Sequence, residues 1–354
     1  MNTWKQNWEE SKKNYLDWWQ GKGLVVSMWE HFPKEGAPHA VATPPPPHAD
    51  FNQYWFDPVW RAQKIHYDLS RSCLRADIPP VANTHLGPGS LCAILGAELS
   101  GDAENIWAKH IENFAGDIVL DKSNKWYQTH IDLMKECKKL SQGQYYVGCP
   151  DLIEGLDTLA SLRGTQEVLM DTIMQPEVLE KQLQKVNDIW FEVFDDIYEI
   201  INEDGEMAFC YFSIWGPGKV AKLQSDISLM ISEDDYRRFV QPYIRQQAQF
   251  LDYSLYHLDG VDAMRHLDAI LEINEINCVQ WTPGIGEPQG GNPRWFDLYQ
   301  KILDAGKGIM PCWVETNELK PLLDAVGAEG LNILMHFQSE KDVDNALKIV
   351  EEFR

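Results

Sequence analysis

The stretch HLDG, His257 to Gly260, closes a strand-favouring run with an imidazole and a carboxylate two residues apart. Alternate residues of a strand share a face, so His257 and Asp259 are expected to point the same way. His336 closes a second such run, LNILMHF. Two imidazoles and a carboxylate suffice to hold zinc with a position left open, and other divalent metals accept the same set. Spacing alone leaves a plainer role open, because a strand-end histidine can simply hydrogen-bond a neighbouring carbonyl.

Tryptophan supplies the second pattern. Trp29, Trp215, Trp281 and Trp313 each fall at the end of a predicted strand. Core packing is the ordinary role of each. Four indoles at one face would instead wall a pocket for a sugar, a planar ring or a quaternary ammonium. Glu30, Glu315 and Asp226 lie near these positions and can hydrogen-bond a ligand or exchange protons with it. Asp77 follows another predicted strand and is a further candidate catalytic carboxylate. No G-x-S-x-G, Walker or HExxH motif occurs. GIGEPQGG (284–291) leads into no immediate helix and is read as a turn, so no nucleotide cofactor is expected.

These residues need a scaffold that gathers strand ends. A helix is expected over 1–22, then a strand at 23–29. TPPPPHAD lies in an excursion over 33–56 that cannot be regular, because proline fixes φ and removes donors. A helix follows at 57–75 and an irregular strand in RADIPPVAN; no element is assigned between 84 and 143. QYYVGCP is read as a strand and 151–203 as two helical stretches. Then come the strands MAFCYFSIW, YSLYHL, NCVQW, GIMPCWV and LNILMHF, separated by helices. About eight strands alternating with helices point to parallel β/α units and a single (β/α)8 barrel over 1–354, with an N-terminal helical extension. A doubly wound sheet is the structural alternative; the absence of GxGxxG after the first strand counts against it.

The 354 residues suit one such barrel, and a net charge of -23 without a basic stripe argues against a nucleic-acid partner. The seven scattered cysteines contain no CxxC pair and cannot all pair with one another. The N-terminus is not a signal peptide, and no apolar run reaches the roughly 20 residues of a membrane span. A cytoplasmic protein with a small-molecule substrate and no membrane partner is expected; a homodimer stays open.

Four stretches resemble the uroporphyrinogen decarboxylase superfamily. They are GCPDLIEGLDTLASLRGTQEVLMDTIMQPEVLEKQLQKV (148–186), LQSDISLMISEDDYRRFVQPY (223–243), LYHLDGVDAMRHLDAILEINEINCVQW (255–281) and AEGLNILMHF (328–337). The second is the most specific. Together they span most of 70–354. The resemblance implies a (β/α)8 barrel and, in the methyltransferase branch, zinc held by H-x-C and a late Cys, with a small corrinoid protein as partner. The matching positions here are His257, Asp259 and His336, with harder ligands in place of thiolates, and Glu30 is a candidate fourth ligand. Decarboxylation of uroporphyrinogen is not expected: the arginine-rich stretch that grips its carboxylates is replaced by MWEHFPKEG. Metal-assisted lyase or hydrolase chemistry on a sugar-like or cationic molecule is the second reading, and a non-catalytic ligand-binding barrel the third.

Overall fold

The computed structural model describes residues 3–354 apart from 88, 103, 104, 113, 115 and 116. Its strands are β1 (Leu24–Ser27), β2 (Val81–Ala82), β3 (Glu98–Gly101), β4 (Ile106–Lys109), β5 (Tyr146–Cys149), β6 (Glu206–Phe209), β7 (Ile214–Pro217), β8 (Val220–Leu223), β9 (Tyr253–Asp259), β10 (Cys278–Thr282), β11 (Gly308–Pro311) and β12 (Leu331–Leu334). Six form one wholly parallel sheet in the order β1-β12-β11-β10-β9-β8. A second sheet runs β2-β5-β6-β7; its first three strands are parallel and β7 returns antiparallel to β6. Contacts link the first sheet to the segment leading into β2 and to β6. The Asp77 amide donates to the Val26 carbonyl at 2.9 Å beside β1, and the Val220 amide of β8 lies 3.2 Å from Met207 Sδ of β6. β3 and β4 form a separate hairpin.

Strands β1, β5, β8, β11 and β12 are short and buried on both faces, and their apolar content reflects that. At Gly148 in β5 a side chain has no room, since a Cβ there would come within 2.8 Å of the Ala82 carbonyl and Cys210. Helices cover the sheets. The longest, Pro176–Ile201, starts with Pro at its first position and buries Leu179, Leu183, Val186, Trp190, Val193, Phe194, Ile197 and Ile201 at three- and four-residue spacing. The expected two helical stretches over 151–203 are three, because Gly164 (φ +101°) and Pro176 each begin a new one. Lys125–Ser141 is a further helix, capped by the Asn124 side chain, in the region given no element by sequence.

The N-terminal extension is the helix Trp8–Trp19, whose indoles and Tyr15 turn inward. The Trp19 Nε1–H donates to the Trp215 carbonyl at 2.9 Å, and Tyr15 pairs with Ser27 of β1 at 3.2 Å. The excursion over 33–56 is non-helical until the short helix Phe51–Phe56. MAFCYFSIW is not one strand. Phe212 (φ +62°) and Ser213 (φ +49°) reverse the chain into a hairpin, and a strand at 220–223 follows that the sequence pattern did not reveal. Among the described residues no helix is long and apolar enough to cross a membrane.

Candidate functional site

Strand exits bring three metal-capable side chains together. β9 ends in His257 and Asp259, and Asp226 stands just past β8. One ligand atom from each lies within 4.8 Å of the other two. His257 Nε2 is 3.9 Å from Asp259 Oδ2. The other ring nitrogen, Nδ1, is hydrogen-bonded to the Gln280 side-chain oxygen on β10, and Gln280 in turn donates to Thr282 Oγ1 at 2.9 Å. With Nδ1 carrying the proton, Nε2 turns a lone pair toward the carboxylates. Burial, aided by the Lys222 charge, pushes the His257 pKa down to about 3, so the ring is neutral and able to ligate.

The two carboxyls sit close together, Asp226 at the surface and Asp259 half-buried. Burial, then the neighbouring Asp157 charge, raises Asp226 to about 7; burial also raises Asp259, against the pull of Lys222. The Asp226 carboxylate accepts from Gln224 Nε2 at 2.8 Å. Its backbone is clamped by Asp157, whose two oxygens accept the Asp226 and Ile227 amides at 2.8 Å each. Asp157 itself follows Glu154, a fully buried carboxylate that caps the helix Gly155–Arg163. One nitrogen and two carboxylate oxygens fit a divalent cation of borderline to hard character, with further positions left for substrate or water.

Beside this cluster lies a buried ion pair. Lys222 of β8 and Asp151, just past β5, are 0% and 2% exposed, 2.5 Å apart. Lys222 also donates to Gln224 and sits 4.7 Å above the Tyr211 ring. An aromatic run continues from there. Trp29 lies 4.5 Å from Tyr211, 4.9 Å from Phe212 and 6.2 Å from Trp313, and Phe212 is 5.2 Å from the His257 ring. Trp313 is 5.9 Å from His336. Backbone strain gathers at the same exits: Phe212, Ser213, Ile153 and Trp313 (φ +58°) all adopt left-handed conformations that bulky residues avoid. Such strain costs about 1–3 kcal/mol per residue and concentrates at functional sites.

The expected site divides accordingly. His257 and Asp259 meet as anticipated, but Asp226, expected as a substrate contact, takes the third place. His336 does not join them. Its amide is held by the Val314 carbonyl, and its Nδ1 lies 2.9 Å from Glu315 Oε1. Glu30 is exposed, makes no ion pair among the described residues and is not one of the three grouped side chains. Trp29 and Trp313 face the site. Trp215 and Trp281 do not. Trp215 sits on returning β7 against Trp8 and Tyr15, and Trp281 packs on Trp295 in the helix layer. Both are core residues. Asp77 is buried, with both carboxylate oxygens taken up by hydrogen bonds. Ser11 and Asn14 donate to one of its oxygens, while the Val26 amide and Arg354 donate to the other.

Lys222, Asp151, Gln224, Tyr211, Phe212 and the supporting role of Gln280 were missed from sequence. The one available signal was the lone charge inside the apolar run VAKL. No protein-family profile matches the chain, and no curated protein matches it.

Proposed function

We propose that the chain is an enzyme that holds one divalent cation on Asp226, His257 and Asp259 and acts on a small molecule bound against Trp29 and Trp313. The cluster at the strand exits carries this reading. A (β/α)8-type barrel, with the β6–β7 hairpin as an addition, is supported by the six-stranded parallel sheet, by the contacts of β1 with Asp77 and of β8 with β6, and by the gathering of the cluster at strand exits. Following the resemblance, we assign the reaction to methyl transfer, with a corrinoid protein as the second partner.

A bound cation would supply Lewis acidity and lower the pKa of a coordinated thiol, hydroxyl or water. The chain does the rest. His257 offers a neutral nitrogen because Gln280 occupies its other one. Asp226 and Asp259 neutralise charge, and Asp157 with Gln224 fixes where Asp226 stands. The aromatic run excludes water from one side. The Glu315 carboxylate orients the His336 ring so that Nε2 can take or return a proton.

The absence of a thiolate makes this donor set harder than the zinc sites the resemblance implies, which favours the metal-assisted lyase or hydrolase reading as the alternative. Incubation of metal-loaded protein with a methylated corrinoid protein separates the two. Demethylation that is lost in His257→Ala supports methyl transfer. A loaded protein that leaves the corrinoid methylated across thiol and hydroxyl acceptors overturns it.

A further inference from the structure

The aromatic run that starts at the cation cluster ends in a cavity of about 580 Å³, lined by Pro288, Gln289, Trp313, Glu315, Glu318 and His336. That volume lies in the range of small-molecule sites. We propose that this cavity binds the head of a small organic cation, a quaternary or tertiary ammonium. As the identity of the substrate, this rests on the metal-dependent reading above; as a binding site, it stands without it.

Three observations converge. Among the described residues no lysine or arginine lines the cavity, while two carboxylates do. Neither carboxylate is paired with a strong base among the described residues; the Glu315 partner is the His336 ring, and Glu318 accepts the Glu315 amide at 3.0 Å. Glu315 at the N-cap and Glu318 in the first turn of the helix Thr316–Val326 are tied together by a capping box, so a ligand need not order them. The third is Trp313. Its left-handed backbone is unfavourable for a bulky residue, and it sets a half-buried indole in the cavity wall. An indole face beside carboxylates is the arrangement that attracts an ammonium and gives a neutral molecule of the same shape much less. The same indole lies 6.2 Å from Trp29, so a ligand seated here extends toward the cation cluster along one aromatic wall.

The test compares choline with 3,3-dimethylbutan-1-ol, its uncharged carbon isostere, by calorimetric titration of the full chain. Choline is expected to bind about tenfold more tightly or better. Trp313→Asn removes the ring at a backbone conformation asparagine tolerates, and Glu315→Gln removes a charge with little change of shape. Each is expected to weaken choline several-fold and leave the isostere unmoved. Equal affinity for the two ligands, no binding of choline, or full choline affinity in either variant overturns the proposal. The titration is repeated with His257→Ala. Choline binding retained there upholds the cavity even if the cation cluster fails, and a cation bound without any preference for choline upholds the cluster alone.

Discussion

Gln280 offers a sharp test of how the site is built. It is fully buried on β10, opposite His257 in register, and its oxygen occupies His257 Nδ1. Gln280→Leu keeps similar bulk and removes that acceptor. The imidazole is then free to place its proton on either nitrogen, and the tautomer with Nε2 protonated cannot ligate. Losses of such outer hydrogen bonds typically cost 10–100-fold in metal affinity, about 1.4–2.8 kcal/mol. Gln280→Glu should act in the opposite direction, because a carboxylate acceptor on Nδ1–H makes Nε2 a stronger donor to metal. The assay is competition for zinc or manganese against a chelator of known affinity, with unfolding temperature recorded for each variant. The order expected is Glu above Gln above Leu. Equal affinities in three folded proteins would refute the assignment of Nε2 as the ligating atom.

Other outcomes follow from the same geometry. Lys222→Met should destabilise the fold by about 3–5 kcal/mol, because Asp151 is left buried without its partner, and adding Asp151→Asn should recover much of the loss in chemical denaturation. Asp226 and Asp259 hold protons to higher pH when folded than when unfolded. Between about pH 4 and about 7 the Asp226 carboxyl binds more proton in the folded chain, while buried neutral His257 contributes in the opposite sense, so the stability of the metal-free protein relative to Asp226→Asn should fall as pH rises. A saturating divalent cation should reverse that slope; a flat profile in both forms would contradict the raised values. Trp281→Ala should cost about 3–5 kcal/mol of stability as a core truncation and leave cation affinity unchanged.

Much of this was legible in the sequence where a single residue type and its period decide the structure. The strands 24–27, 253–259, 278–282 and 331–334 announce themselves as short runs of strand-favouring residues, and HLDG puts both side chains on one face because a strand repeats every two residues. What failed was whatever depends on which strands lie side by side. His336 and His257 look equivalent in sequence, yet β10 and β11 stand between their strands, and Glu315 claims the later ring. Trp215 reads as a strand end only if the chain runs straight through Phe212 and Ser213, and two consecutive left-handed residues turn it back toward the N-terminal helix. Asp77 resembles a catalytic carboxylate until Arg354, some 277 residues away, closes on it. Asp226 was noticed for its neighbourhood, but its place beside His257 depends on the Asp157 clamp, which no local pattern displays.

The most direct measurement is the cation content and affinity of the chain after dialysis against zinc or manganese, compared across His257→Ala, Asp226→Asn, Asp259→Asn and His336→Ala. The account predicts about one equivalent per chain, lost or weakened at least tenfold in the first three and retained in the fourth. A cation held as tightly by Asp226→Asn as by the unaltered chain, and released by His336→Ala, would contradict it.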